Sequence, residues 1–306
     1  MLQKTRKSNS IGVLWTGINF IVEINIEKIQ KEKPIKELLE FSIINIDKPT
    51  GPTSFSVSQF VKKVLNLRKT SHLGTLDPMV TGVLPVATNR ACRLNDYLMH
   101  RNKTYVGIMR LHENIDDKTL KGTIKNFIGK IMQLPPVRSR VKREIREREV
   151  VSFDILERDG KDVLFKTEVQ AGTYIRKLCD DMGKEIGGAH MLELRRTKAG
   201  IFEEKESINL YDFEKAVEEY KKGNEEELRK ILIPGEIVSK VLQVVQLNPT
   251  SLKQTLTGKP LFKGDITEKP KELSSPFALF LGDKFIGCYR LTDEGDIIAR
   301  AEFILN

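Results

Sequence analysis

Short apolar segments of the strand type alternate irregularly with amphipathic segments of the helix type, and this pattern restricts the fold more than any other feature. "FSIINIDK" (41–48) and "KTYVGIMRL" (103–111) are rich in β-branched and aromatic residues and predict strands. "AGTYIRKLCDDMGKEIG" (171–187) has its apolar residues on one face and predicts a helix. Residues 150–169 predict a hairpin with Asp159-Gly160 at its turn. Because the order of these segments is irregular, the sequence predicts an α+β fold rather than a regular βαβ winding.

Composition divides the chain into three segments. Residues 1–40 combine an apolar, strand-forming arm with a highly charged stretch, and residues 41–235 hold the mixture of strands and helices. Pro234-Gly235 marks the boundary to the last segment, since this dipeptide is typical of a turn. Residues 236–306 contain strand-type runs such as "FALFLGDKFIGCYRL" and predict a small β domain.

The cysteines and the N-terminal segment indicate the compartment. Cys92, Cys179 and Cys288 are dispersed and form no CxxC pair, which disfavours a disulfide framework and a structural zinc site. The apolar part of residues 1–25 is interrupted by polar residues and is followed by no small-residue cleavage site. No apolar run approaches the ~20 residues that a membrane-spanning helix needs. We therefore expect a cytoplasmic protein.

The charge balance points to a polyanionic partner. The 306 residues include 51 Lys and Arg against 42 Asp and Glu, a net charge of +9. Such an excess is compatible with simple solubility, but it also indicates nucleic acid as a partner. Within "VRSRVKREIRERE" (137–149), four cations precede the first acidic residue, namely Arg138, Arg140, Lys142 and Arg143. This segment is a candidate phosphate-binding surface, and a solvated strand of mixed charge is the alternative.

One carboxylate, Asp77, lies in the otherwise acid-free stretch "SHLGTLDPMVTGVLP" (71–85). A single aspartate in such a loop often caps a helix or fixes a turn. "DPMVTG" is also similar to the DxDxTG motif of the haloacid-dehalogenase phosphatases. Met79 stands where that motif has its second aspartate, the general acid, so phosphatase chemistry by this route is excluded. Asp77 is then either a structural residue or a catalytic residue of another kind.

Four motifs in a fixed order resemble the TruB/dyskerin family of RNA pseudouridine synthases. They are "INIDKPTGPTS", "KTSHLGTLDPMVTGVLPVATNRACRL", "KTYVG" and "AGTYIRKLCDDMG", and the match covers about residues 41–202. "PPVRSRVKREIRERE" and "GGAHMLELRRTKAG" resemble the archaeal and eukaryotic dyskerin branch in particular. The resemblance implies a mixed-sheet catalytic core with flanking helices over 41–235. It also implies a PUA-like, RNA-binding β-barrel over 236–306, against which the N-terminal arm of 1–40 packs.

The resemblance also implies a catalytic set. Asp77 matches the catalytic aspartate of the GTLDP motif, and Arg176 matches the arginine that pairs with it. Tyr105 matches the tyrosine that stacks on the target base and moves a proton. Pseudouridine formation breaks the glycosidic bond, rotates the uracil and joins its C5 to the same sugar carbon, with no net oxidation or hydrolysis. One ionised carboxylate can serve this reaction by attack at C6, by attack at C1′ or by proton removal from C2′.

Other residues are implied to surround this set. His72 offers a flat ring that stacks where the flipped nucleotide leaves the helix, and Tyr174 is a candidate substrate contact. Lys48-Pro49 matches a dipeptide that braces the active site from beneath. The family commonly has glycine where this chain has Ser71, and serine tolerates fewer backbone conformations. This difference bears on the pose of His72 and leaves Asp77 unaffected.

The resemblance finally implies partners and leaves two function classes. The first is an RNA pseudouridine synthase that needs neither metal nor cofactor. It would act on the T-loop uridine of tRNA, at the position of pseudouridine-55, or on rRNA, as the catalytic subunit of an H/ACA guide ribonucleoprotein with guide RNA and small accessory subunits. The second is an RNA-binding scaffold of the same fold without catalytic activity. Retention of Asp77, Tyr105 and Arg176 together favours the enzyme.

Overall fold

A computed structural model describes residues 23–135, 142–267 and 272–306. These residues divide into two compact units. The larger unit extends from Gln30 to Gly235, and the second comprises Glu236–Asn306 together with the described residues before Gln30. Residues 1–22 of the predicted N-terminal arm lie outside the described residues. Among the described residues, no helix has the length and apolar character required to cross a membrane.

Helices and short strands follow one another irregularly along the chain. The α-helices of the described residues are α1 (Ile26–Glu32), α2 (Ile35–Glu40), α3 (Ser54–Val64), α4 (Asn95–Leu98), α5 (Asp117–Asn126), α6 (Ile175–Glu185), α7 (Leu210–Lys221), α8 (Glu226–Ile231) and α9 (Leu252–Leu256). The strands are β1 (Ser42–Lys48), β2 (Thr70–His72), β3 (Thr81–Thr88), β4 (Lys103–Leu111), β5 (Gly129–Gln133), β6 (Arg146–Asp159), β7 (Asp162–Val169), β8 (Ala189–Ala199), β9 (Phe202–Glu203), β10 (Ile208–Asn209), β11 (Ile233–Pro234), β12 (Gln243–Gln246), β13 (Leu261–Phe262), β14 (Phe277–Leu281), β15 (Lys284–Glu294) and β16 (Ile297–Ile304). The predicted α+β class is confirmed.

The larger unit is built on a mixed sheet. Its strand order is β10-β1-β3-β8-β4-β7-β6-β5, with β2 paired to β3, β9 to β8 and β11 to β1. The β1/β10 and β3/β8 pairs are parallel, and the other pairs of this sheet are antiparallel. Strand β8 therefore lies between β3 and β4, which brings three distant parts of the sequence side by side.

Helices α3 and α6 cover this sheet because each has one apolar face. Thr53 caps α3, since its hydroxyl accepts a hydrogen bond from the backbone N–H of Ser56 at 3.0 Å. Val57 and Val61 of α3 are buried in the same hydrophobic core as Leu178 and other apolar residues of α6. Helix α6 packs on β8. This packing fixes the first turn of α6, which carries a predicted site residue.

The hairpin of β6 and β7 differs from its prediction by one residue. Asp159 pairs with Asp162, so the two loop residues are Gly160 and Lys161 rather than Asp159-Gly160. Gly160 adopts a positive φ of 54°, which glycine accepts most readily. Strand β6 also begins at Arg146 and pairs with β5, a strand that the sequence pattern did not predict.

The second unit contains a five-stranded sheet of order β12-β14-β15-β16-β13. Beyond its two edge strands, Leu247 and Ile266 form an antiparallel bridge, so the sheet curls into a half-barrel. Phe277 and Tyr289 stack in its core with ring centroids 6.0 Å apart. The prediction of a small C-terminal β-barrel is confirmed in this form.

Candidate active site

A short loop between β2 and β3 carries Asp77 and is fixed at several points. The backbone N–H of Leu76 donates to the Ser54 hydroxyl at 2.7 Å, and this hydroxyl donates to the Leu76 carbonyl at 2.8 Å. The backbone N–H of Gly51 donates to the Pro78 carbonyl at 2.9 Å. Because Leu76 is buried while Asp77 is exposed, the loop presents the carboxylate to solvent from a firmly held backbone.

Arg176 contacts Asp77 directly. Its Nη2 donates to Oδ2 of Asp77 at 2.7 Å across 99 positions of sequence. The side chains are 55% and 53% exposed, respectively, so the pair lies at the surface. An ion pair this exposed contributes little to stability. Its physical effect is to orient one carboxylate oxygen and to keep a positive charge beside the ionised carboxylate.

Tyr105 lies in β4 with only 9% of its surface exposed, within the hydrophobic core. In the sheet it is paired directly with Arg196 of β8. Burial lowers the pKa of Arg196, and the nearby Tyr105 side chain partly opposes this decrease. The Tyr105 ring is therefore largely enclosed by protein and lies next to a buried cation.

His72 and Lys48 contact the same loop from two sides. The His72 Nε2 lies 3.2 Å from the Thr75 hydroxyl, and this contact fixes the half-buried ring. Thr75 precedes Asp77 by two positions in the same loop. Ser71 accepts a hydrogen bond from Asn95, so its hydroxyl has a role of its own here. The buried Lys48 ammonium donates to the carbonyls of Pro49, Pro78 and Val80 at 2.8, 3.0 and 2.8 Å.

These three contacts make Lys48 a brace for the Asp77 loop. Burial lowers the pKa of Lys48, while the negative charge of Asp77 opposes that decrease. The geometry matches the structural role expected for Lys48-Pro49. An ammonium bonded to carbonyls on both sides of Met79 holds the backbone immediately after Asp77.

The remaining predicted site residues are Tyr174 and four cations of 137–149. Tyr174 caps α6, and its backbone is held by Gln133, with N–H to Oε1 at 3.0 Å and Nε2 to carbonyl at 3.2 Å. Lys142 and Arg143 are exposed, and Arg138 and Arg140 lie outside the described residues. The Lys142 ammonium forms an ion pair with Glu144, the first acidic residue of 137–149.

Two buried cations near the loop were not predicted from the sequence. Arg196 is 1% exposed, and it donates from Nε to the Val83 carbonyl at 2.8 Å and from Nη2 to the Gly74 carbonyl at 3.1 Å. Lys103 is 5% exposed and donates to the carbonyls of Met99 and Arg101. Burial and the charge of Arg196 together lower the pKa of Lys103 to about 8.

Little in the amino-acid sequence indicates that Arg196 and Lys103 are buried. Lys103 precedes Tyr105 by two positions in "KTYVG", and side chains two apart in a strand share a face. Arg196 lies in "ELRRTKAG", whose charges are typical of a solvated strand. Within 23–135, 142–267 and 272–306, no group of three or more His, Cys, Asp or Glu side chains is arranged to hold a metal ion.

Comparisons with known proteins agree with this arrangement. Residues 62–175 match the N-terminal domain of the TruB family pseudouridylate synthases. Residues 176–239 match the C-terminal domain of tRNA pseudouridylate synthase B. Probable tRNA pseudouridine synthase B of Methanopyrus kandleri is 45% identical over 76% of this chain and 69% of its own length. The protein of the same description from Methanocaldococcus jannaschii is 43% identical over 78% of this chain and 72% of its own length.

Solved structures give the same result. A chain from a Cbf5-Nop10-Gar1 complex superimposes with a TM-score of 0.82 and 37% identity, covering 90% of this chain and 88% of that one. A chain from an H/ACA RNP bound to a substrate RNA containing 2′-deoxyuridine gives 0.79 and 34%, covering 90% and 89%. The chain therefore belongs to the TruB family of RNA pseudouridine synthases, enzymes that isomerise uridine to pseudouridine.

Proposed function

We propose that Asp77 is the catalytic carboxylate of this isomerisation, that Arg176 orients it and that Tyr105 acts at the target base. The observation that carries the proposal is the 2.7 Å contact between Arg176 and Asp77 on a loop held by Ser54 and Lys48. Attack at C6, attack at C1′ and removal of the C2′ proton all require an ionised, accessible carboxylate. Asp77 is accessible because half of its side chain is exposed while its backbone is fixed.

Tyr105 has a different environment and therefore a different proposed role. It is paired across the strands with Arg196, and a guanidinium can only donate hydrogen bonds. We propose that the phenolic oxygen accepts from Arg196, which leaves its own hydrogen for another partner. Tyr105 is thus placed to move a proton at the uracil, because the overall reaction removes the proton from C5 and adds one to N1. The isomerisation involves no net oxidation, reduction or hydrolysis, so its chemistry requires no redox cofactor.

We propose uridine in tRNA, at the T-loop position that becomes pseudouridine-55, or in rRNA as the substrate. We further propose that the chain acts as the catalytic subunit of an H/ACA guide ribonucleoprotein in the cytoplasm. The similarity to chains from complexes described as containing Nop10, Gar1 and substrate RNA supports this role. The three free cysteines suit a reducing compartment. In this proposal residues 1–40 form the arm, 41–235 the catalytic domain and 236–306 an RNA-binding domain.

Purified protein and unmodified tRNA test the mode of action. The reaction is run with and without guide RNA and the accessory subunits, and pseudouridine is mapped by chemical labelling. Pseudouridine only in the complete mixture supports guided action, whereas modification by the chain alone indicates independent action on tRNA. RNA binding without pseudouridine in every mixture would support the inactive scaffold instead.

We also propose that the segment 137–149 contacts RNA phosphates through Arg138, Arg140, Lys142 and Arg143. Among the described residues, no ion pair joins Arg143 to an acid, whereas Lys142 is paired with Glu144. Each lost phosphate contact decreases the salt slope of log affinity by about 0.7 to 0.9. RNA titrations across a salt series should show this decrease for Arg143→Ala and a smaller one for Lys142→Ala. Lines parallel to the wild type for both variants would show that this segment does not bind phosphate.

A further inference from the structure

Arg196 lies in the sheet between the elements that carry two of the proposed catalytic residues, Asp77 and Tyr105. In β8 it is paired with Gly82 of β3 on one side and with Tyr105 of β4 on the other. Strand β3 directly follows the Asp77 loop. A single residue thus lies between the strand that leads away from Asp77 and the strand that carries Tyr105.

The Arg196 side chain bonds to both arms of the Asp77 loop. Its Nη2 donates to the carbonyl of Gly74, three residues before Asp77, and its Nε donates to the carbonyl of Val83, six residues after it. A Cβ on Gly74 would lie 3.5 Å from Nη1 of Arg196, so the loop backbone rests directly on the guanidinium. The five donors of an arginine in a rigid plane suit such a multiple contact better than an ammonium does.

Tyr105 is the direct cross-strand neighbour of Arg196, so the two buried side chains lie on the same face of the sheet. Lys103, the other buried cation, uses its ammonium on the carbonyls of Met99 and Arg101 and donates to neither arm of the Asp77 loop. Arg195, the adjacent residue, faces the opposite side of the strand and pairs with Asp47 at 2.8 Å and with Glu204. Among these three cations, Arg196 alone bonds both arms of the loop and is paired with Tyr105 across the strands.

We propose that Arg196 is a positioning residue for the isomerisation, which couples the position of the Asp77 loop to the direction of the Tyr105 hydroxyl. In this proposal the Tyr105 oxygen accepts a hydrogen bond from Arg196, and its own hydrogen is directed towards the bound base. This inference rests on the roles of Asp77 and Tyr105 proposed above. Because Arg196 is buried, it acts through the loop and the tyrosine rather than by contact with RNA.

The test compares Arg196→Lys with Arg195→Lys, the same substitution one residue away on the opposite face. Single-turnover rates are measured at saturating RNA, together with the Kd for RNA. Arg196→Lys should reduce the rate at least 10-fold and leave the Kd within about 2-fold, because the variant disturbs positioning rather than binding. Arg195→Lys should retain the rate within about 3-fold. Equal rate losses in the two variants would overturn the proposal.

A second comparison separates positioning through Tyr105 from a general structural effect. In the Tyr105→Phe background, Arg196→Lys should reduce the remaining rate less than 3-fold, since the hydroxyl that it orients is already absent. The same 10-fold loss in both backgrounds would contradict coupling through the hydroxyl. The thermal unfolding temperature of each variant shows whether the compared proteins are folded.

An NMR measurement tests the contact without changing the buried arginine. In [¹⁵N]arginine-labelled protein, the Arg196 side-chain N–H signals should shift when Tyr105 is changed to Phe, and they should remain unchanged in Arg195→Lys. Unaltered Arg196 signals in Tyr105→Phe would show that the hydroxyl does not accept from Arg196. If wild-type protein produced no pseudouridine, the proposed catalytic roles would fail, while this measurement would still decide the contact.

Discussion

Asp77 and Arg176 illustrate how a residue pair can matter for chemistry and little for folding. Both side chains are about half exposed, so water screens their attraction. The structure gives one N–H···O hydrogen bond between them, rather than two parallel ones. Arg176 therefore holds one carboxylate oxygen and leaves the other available to substrate. A substitution at this position should change turnover far more than stability.

Replacement of Arg176 by lysine tests this reasoning. Lysine keeps the charge but lacks the planar group and is shorter, so the single-turnover rate should fall at least 10-fold. The free energy of unfolding should change by less than about 1 kcal/mol. Arg110→Lys is the matched control, because Arg110 makes a similarly exposed pair with Asp162 near the other end of β4. Wild-type turnover in Arg176→Lys would mean that Arg176 does not orient Asp77.

Lys103 gives a prediction about pH. Its pKa is about 8 in the folded protein against 10.5 as the ordinary value, so between these values the unfolded chain binds more protons. The free energy of unfolding must then rise with pH over this range because of Lys103. At about 1.4 kcal/mol per pKa unit, the whole gain is at most about 3.5 kcal/mol.

Urea unfolding of wild type and Lys103→Met from pH 7 to pH 10 measures this contribution. The stability of the wild type relative to Lys103→Met should rise as the pH increases through 8. Lys121→Met, on the exposed side of α5, is the control. The stability of the wild type relative to Lys103→Met should rise more steeply with pH than its stability relative to Lys121→Met. Equal slopes would contradict a buried ammonium at Lys103.

The same residues show what the sequence could predict at this scale. Asp77, Arg176 and the Lys48 brace were identified from motifs, and the structure brings all three together. Arg196 and Lys103 were not predicted, because the residue type alone does not show whether a cationic side chain is buried or exposed. Their burial depends on carbonyls from Gly74, Val83, Met99 and Arg101, which converge only when the strands pair.

Among the elements, the parallel contact of β3 and β8 depends on a glycine. Gly82 has a φ of 100°, and a Cβ there would lie 2.2 Å from the Arg196 carbonyl oxygen. Gly51 has a similar φ of 107° but has nothing within 4 Å of its Cβ position. An alanine at either position has backbone strain, and only an alanine at Gly82 also has a steric clash. Comparing the two substitutions therefore separates the two costs.

Gly82→Ala should destabilise the protein by at least about 2 kcal/mol more than Gly51→Ala, because only the first adds overpacking to the strain. Denaturant unfolding of both variants measures the difference, and a Gly82→Ala protein that fails to fold also meets the expectation. Equal stability losses would mean that β3 and β8 are farther apart than the structure has them.

The elements also show where pattern reading ends. Strands β1 and β4 and helix α6 follow from their own apolar spacing, and each was predicted. Strand β5 has only five residues, of which just Gln133 is buried, so its own sequence carries little signal. It forms because the first residues of β6 extend beyond the end of β7, and this part of β6 pairs with β5. The hairpin turn moved by one residue for the same reason, since strand register decides which residues face each other.

For the whole molecule, a net charge of +9 suits a polyanionic substrate. The larger unit holds the candidate catalytic residues, and the second unit is a separate curled sheet with its own core. Family membership establishes the isomerisation, and the structure presents Asp77 as a half-exposed carboxylate on a braced loop. The central claim is that Asp77 performs this chemistry.

Asp77→Asn tests that claim most directly. The amide keeps the shape of the side chain and removes its charge, so it can act neither as a nucleophile nor as a base. With an RNA that wild-type protein modifies, the variant should form no detectable pseudouridine while its Kd for that RNA stays within about 3-fold. Pseudouridine formation above a trace by Asp77→Asn, measured in the same labelling assay, would contradict the account.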